Sequence, residues 1–292
     1  MNFLKSIFKY FNNKLIYLIL IVGLPAILAG FCITGSGLIE IIVNYNRYQF
    51  TGFIDVYLTV LGRTPLWLYI QPVALIGLAL GMSLLYATVD SHMRMGEFSI
   101  RNVVRKLDYN FIACAKYVLV LAIAGHIMVL LASLLTFAFY KVSMNNVALG
   151  WTLSAICIFI LALLYLCVIV LTILWLPTML HTGASDNRAF VMAVKQIAPH
   201  FMKTLNTLVI PLVPYFLLMV LNCYFNWNLA IVFDVLCFVF FAILLVVTMN
   251  TLYYDLNSIE REDLKSIIWS KNIGRYVWNL NTRLIFCYQD TP

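Results

Sequence analysis

Residues 156–176 read ICIFILALLYLCVIVLTILWL, a run without a charged side chain. A helix needs roughly 20 mostly apolar residues to cross about 30 Å of hydrocarbon, and this run supplies them. A membrane β-strand would alternate apolar and polar residues over about ten positions; the run does not alternate, so it reads as a helix. Working outward, it lies within a low-charge segment at 149–180, and five more segments of that kind lie at 15–43, 65–90, 111–140, 204–225 and 228–254. Of the 292 residues, 63% are hydrophobic and 11% charged, against about 45–50% and about 25% in soluble domains. Aromatic residues at 15% exclude a disordered chain. The expected fold is all-α: a polytopic membrane bundle of six transmembrane helices with interfacial amphipathic helices on the cytoplasmic side.

The net charge of +7 is distributed by topology. Positive flanks are retained in the cytoplasm, and an inside amino terminus leaves only Arg47, Arg63 and Lys141 of the 19 Lys and Arg residues outside. Both termini are therefore expected to be cytoplasmic, in a cell (plasma) membrane of bacterial inner-membrane type. The cations are divided among four inner segments, not gathered into one stripe, so membrane lipids are expected partners and nucleic acid is not. The seven cysteines form no CxxC pair and read as small apolar residues of a reducing cell. Phe31 separates Gly30 from Cys32 and spoils a lipoprotein cleavage box, so the first span reads as an uncleaved anchor.

The inner segments carry helical patterns of their own. Phe3, Leu4, Ile7, Phe8, Phe11 and Leu15 recur at helical spacing, predicting an interfacial helix over 1–14. Ser99 is placed to cap a second, with Ile100, Val103, Val104 and Leu107 on one face, and Ser185 a third, with Phe190, Ala193, Val194, Ile197 and Phe201. Leu264, Ile267, Ile268, Ile273, Tyr276, Val277, Leu280 and Leu284 continue the pattern in a cytoplasmic tail at 255–292, after a six-span domain at 15–254. A 90-residue shift places Thr88 on Thr178, Val104 on Val194, Arg105 on Lys195, Leu107 on Ile197 and Phe111 on Phe201. That echo predicts three pseudo-repeated hairpins, spans one with two, three with four and five with six, about an axis near the membrane normal. The need of any polytopic chain for basic inner loops would produce a similar plan.

Three stretches carry a resemblance: LWLPTML at 174–180, AFVMAVKQIAPHFMKTL at 189–205 and TLYYDL at 251–256. In these the chain resembles a bacterial six-helix integral membrane family that includes the membrane domain of glycerophosphodiester phosphodiesterases. The resemblance implies a fold and a loop plan, not a reaction. The soluble phosphodiesterase domain, with its metal-binding carboxylates and histidines, has no counterpart in 1–292.

Catalytic signatures are not found: there is no HExxH, GxSxG, Walker lysine or Rossmann glycine pattern. The expectation is no enzyme, no metal and no cofactor. Ionisable groups in hydrocarbon usually face an interior or a cavity, so His126 near mid-span, with Asp234, Glu40, Gln71 and Asn222 near one outer level, form a candidate polar pocket; the alternative is that they reach headgroups or single helix partners. If the hairpins stack, Asp90 with His92 and His181 with Asp186 are candidates for an inner-surface pair, donors of the kind a metal would want. Pro25, Pro72, Pro211 and Pro214 are expected to interrupt their helices, and Gly77 with Gly81 to permit close packing within the bundle. Trp67, Trp151, Trp175, Trp227, Tyr253 and Tyr254 read as interface anchors.

Three functions compete. The first is a non-catalytic membrane subunit or scaffold that docks a cytoplasmic or membrane protein partner through Arg101, Arg105, Lys106, Arg188, Lys195 and Lys203. The second is a permease subunit of a transporter driven by a separate ATPase, and the third an intramembrane lipid-acting enzyme.

Overall fold

The computed structural model describes residues 3–32, 36–45, 48–61, 65–96, 100–143, 146–225, 227 and 229–263. These form α1 (Phe3–Cys32), α2 (Ser36–Asn44), α3 (Phe53–Leu61), α4 (Pro65–Met95), α5 (Ile100–Ser143), α6 (Val147–Thr172), α7 (Trp175–Thr182), α8 (Asp186–Ile197), α9 (Phe201–Val209), α10 (Leu212–Phe225) and α11 (Ala230–Leu256). No strand occurs among them. Six stretches are long and apolar enough to cross a membrane: Lys14–Asn44, Tyr69–Met95, Asn110–Val142, Val147–Thr182, Asp186–Phe225 and Ala230–Leu256. The chain is an all-α polytopic bundle.

Two of the expected amphipathic segments are continuous with the helices that carry spans one and three, ahead of the spans themselves. Residues 3–14 continue without a break into the rest of α1, and Ile7, Tyr10 and Phe11 are buried in the main core. Residues 100–109 open the 44-residue α5, which at about 1.5 Å per residue reaches about 66 Å and so projects beyond any bilayer core. The third expected segment is a separate helix, α8. It buries Ala189, Ala193 and Ile197 against α6 and α7, and Ser185 stands at its N-cap without a side-chain capping bond. The expected tail helices, from Leu264 on, lie outside the described residues.

Proline breaks two spans, at an offset the chemistry sets. A proline ring clashes with the carbonyl four residues earlier, which for Pro177 is that of Ile173 and for Pro214 that of Ile210. Span four turns at 173–174 between α6 and α7, and span five turns at 210–211 between α9 and α10. Pro25 and Pro72 lie inside continuous helices, so the expected interruption does not occur there, and the Pro177 break was not expected.

Glycine sets the closest approaches. A Cβ at Gly30 would lie 2.9 Å from the Val235 Cα, and one at Gly81 would lie 2.9 Å from the Pro25 Cβ. Thus α1 packs chiefly on α11 and α4. Gly77 meets nothing within 4 Å, so of the two spaced glycines only Gly81 makes a helix contact. The first two expected hairpins pack closely, α1 on α4 and α5 on α6, whereas the sixth span packs on the first far more than on the fifth.

One end of the bundle, here the basic end, gathers the start of α1, the end of α4, the start of α5, α8 and the residues after α11. The residues with positive φ among those described are Gly96, Gly183 and Ser258, and each closes the helix that finishes a span there: α4, α7 and α11. The Gly96 N–H donates to the His92 carbonyl at 2.9 Å, and the Gly183 N–H donates to the Met179 carbonyl at 3.1 Å. Glycine takes this left-handed conformation without steric cost. Spans two, four and six thus each close through a left-handed residue at this end.

At the opposite end the chain between spans one and two is structured. α3 packs on α5, and Ile41, Tyr45, Phe50, Val56, Val60, Ala132 and Ile158 form a small second core. The Asp55 carboxylate accepts from the Thr51 hydroxyl and from the backbone N–H groups of Thr51 and Gly52, holding the first turn of α3.

Candidate functional site

The densest polar constellation joins the ends of α4, α7 and α11. Asp90, one turn and a half from the end of α4, is 4% exposed. Its Oδ1 accepts from the Tyr254 hydroxyl at 2.8 Å and from Arg94 Nη2 at 3.5 Å, and His181 Nε2 lies 3.5 Å away. Arg94 Nη2 is also 3.3 Å from His181 Nδ1, and the Tyr86 hydroxyl is 3.2 Å from His181 Nε2. The imidazole stacks on Tyr253, centroids 4.6 Å apart at 12°, and meets Tyr254 edge-on.

Donor chemistry fixes the imidazole tautomer. A guanidinium only donates, so Nδ1 accepts from Arg94 and the ring proton resides on Nε2, directed at Tyr86 and Asp90. All these contacts are then attractive with a neutral imidazole. The buried carboxylate and two phenols, the largely buried imidazole and the half-exposed Arg94 guanidinium form a compensated network, the arrangement low-dielectric interiors require.

Helical periodicity explains the partners. Residues i and i+2 point to different sides of a helix while i and i+4 are neighbours. The expected Asp90–His92 pair is accordingly not formed, Asp90 meeting Arg94 instead, and His92 packs edge-on against Tyr10 at 5.5 Å. The expected His181–Asp186 pair is not formed either, since the left-handed turn at Gly183 parts them; Asp186 binds Lys116 at 2.7 Å. Close by, Arg261 and Asp263 make a buried ion pair at 2.9 Å. Burial and then the Asp263 charge push the Tyr10 phenol up from its ordinary range.

The five residues of the expected polar pocket each have a partner. His126 Nδ1 donates to the Ala122 carbonyl at 2.8 Å, which leaves Nε2 an acceptor, 3.2 Å from the Gln71 carboxamide of α4. Glu40 accepts from the Tyr48 hydroxyl at 2.8 Å, Asp234 from the Tyr215 hydroxyl at 2.5 Å, and Asn222 from the Leu229 N–H at 2.9 Å. Burial, followed by the bond to Glu40, pushes the Tyr48 phenol up. His126 with Gln71 lies between α5 and α4 and Asp234 with Tyr215 between α11 and α10, whereas Glu40 and Asn222 bond the loop residues Tyr48 and Leu229.

Of the expected docking cations, Arg188, Lys195 and Lys203 are exposed on α8 and α9. Arg101, Arg105 and Lys106 lie on the first turns of α5, with side chains outside those described. Behind α8, Trp175 Nε1 donates to the Asp186 carbonyl at 3.0 Å, and its ring meets Phe190 edge-on at 6.0 Å. Trp175, Tyr253 and Tyr254 are therefore core residues, not interface anchors. Trp151 is half-exposed and donates to the Ile42 carbonyl at 2.7 Å.

No group of three or more His, Cys, Asp or Glu placed to hold a metal occurs among the described residues. Set against known proteins, the chain matches no family model, no curated protein and no solved structure.

Proposed function

We propose that the protein is a non-catalytic membrane subunit or scaffold of a bacterial inner membrane, both termini cytoplasmic, that docks a protein partner on its basic end. The observation that supports this reading is α8. Its apolar side is fixed by Ala189, Ala193 and Ile197, its start is held through Trp175 and Lys116, and Arg188 and Lys195, followed by Lys203 on α9, stay exposed. A cationic face held in place beforehand loses little conformational freedom on binding and suits an acidic partner surface.

The test is purification in mild detergent from the native host, comparing wild type with Arg188→Glu/Lys195→Glu/Lys203→Glu. The expected result is a stoichiometric partner on the wild type that is lost from the variant, with the thermal midpoint unchanged. Retention by the variant, or a wild type without a stoichiometric protein, defeats the proposal. A permease subunit is the second reading, favoured by the turns that interrupt spans four and five, since discontinuous helices form the binding sites of many transporters. A stoichiometric ATPase in the same experiment would select it.

A further inference from the structure

Threonine hydroxyls inside helical bundles usually return to the carbonyl four residues earlier. Thr88, Thr172, Thr182, Thr204 and Thr207 do so here, at 2.6 to 3.1 Å. Thr178, Thr248 and Thr251 do not: their hydroxyls, fully shielded on residues at most 1% exposed, find no hydrogen-bond partner among the described residues. Asn250 joins them, since its side-chain nitrogen donates to the Val246 carbonyl while its oxygen is left unmet.

These four residues share one place. Thr178 is three residues before His181, Asn250 is three before Tyr253, and Thr248, Thr251 and Tyr254 follow at intervals of three. Residues at that spacing lie one above another on a helix face. The unmet oxygens therefore lie deeper than the Asp90, His181 and Tyr254 network, by three residues at Thr178 and Thr251 and by six at Thr248, on the faces of α7 and α11 that the network draws together. Polar groups at membrane depth are tolerated where they line water or find partners, and a buried water typically takes about three hydrogen bonds from such groups.

We propose that the seam between α7 and α11, beneath the Asp90 network, is a binding site for water: a hydrated pocket of hydroxyl and amide oxygens. The network of Asp90, Arg94 and His181 roofs it on the basic end, and Arg94, half-exposed, marks the side from which solvent reaches it. Hydration gives the bundle one polar interior in its basic half.

The test uses the full-length protein in lipid nanodiscs with its seven cysteines replaced by alanine. Thr251→Cys and Thr178→Cys are reacted with a small, charged methanethiosulfonate, beside Val247→Cys, whose side chain is equally buried but apolar. The expected result is modification of both threonine positions at least about tenfold faster than position 247; equal rates overturn the proposal. Thr248→Val/Thr251→Val, measured for thermal midpoint, gives an independent reading. A hydrated seam loses water contacts and the midpoint falls, whereas a dry seam is relieved of unmet hydroxyls and the midpoint rises, which also overturns the proposal.

Discussion

The carboxylates at the two ends of the bundle bond in different ways. At the basic end Asp90 reaches across the fold, to Tyr254 164 residues away, with His181 also beside it. At the opposite end Glu40 bonds Tyr48 and Asp234 bonds Tyr215, 8 and 19 residues apart. A long-range bond fixes how spans are arranged, while a short-range one shapes a single hairpin or loop. The basic end thus carries the carboxylate fastening of spans two, four and six, whereas the opposite end is joined by apolar packing, by aromatic contacts such as Phe50 with Tyr140 at 5.0 Å, and by side-chain bonds to backbone carbonyls, from Trp151 to Ile42 and from Tyr140 to Tyr48.

The largest effect should come from Asp90→Leu, which strands Tyr254 and His181 in the interior and leaves Arg94 half-exposed without its carboxylate. Removing one member of a buried charged network costs about 3 kcal/mol, read as a drop in thermal midpoint in detergent; an unchanged midpoint would put the fastening elsewhere. Next, Gly30→Val should cost about 1–3 kcal/mol by overpacking against the Val235 backbone, while Gly77→Val, with nothing within 4 Å, should leave the midpoint unmoved. Smaller still, Asp234→Asn should lower stability by about 0.6 kcal/mol, the usual size of a polar contact between membrane helices. A loss equal to that of Asp90→Leu would erase the contrast between the ends.

The smallest effect is local and depends on pH. Hydrogen bonds from Thr51 and Gly52 hold the Asp55 carboxyl below the ordinary carboxylate range. A carboxyl lowered on folding stabilises above its unfolded pKa, and the contribution is lost as pH falls through the folded value. Acidification should therefore reduce the amide-exchange protection of the first turn of α3, measured against the intrinsic rate at each pH.

How far the sequence discloses this arrangement follows from the range of each interaction. Hydropathy is a local property: it marks five spans to within about five residues of those observed, while the fifth, expected at 204–225, belongs to an apolar stretch that begins at Asp186. The turns in spans four and five are also local: the one at 210–211 falls on Pro211, where an interruption is expected, while the one at 173–174 begins four residues before Pro177, away from the proline itself. The helix FIDVYLTVL at 53–61 is too short for hydropathy to mark it as a span. Asp90 and His181 were visible as polar residues at one end, yet their partnership depends on which helices adjoin, and no periodicity within either segment encodes that. Applied strictly, helical spacing would have excluded Asp90 with His92 and favoured Asp90 with Arg94.

The most direct measurement of the basic-end fastening is a double-mutant cycle of Asp90→Ala and Tyr254→Phe, followed by thermal unfolding of the four proteins. The network predicts non-additivity of about 1–2 kcal/mol, because either change alone removes the bond that joins α4 to α11. Effects that add within about 0.5 kcal/mol would show that Asp90 and Tyr254 stabilise the bundle independently, and the fastening of spans two, four and six through them would be contradicted.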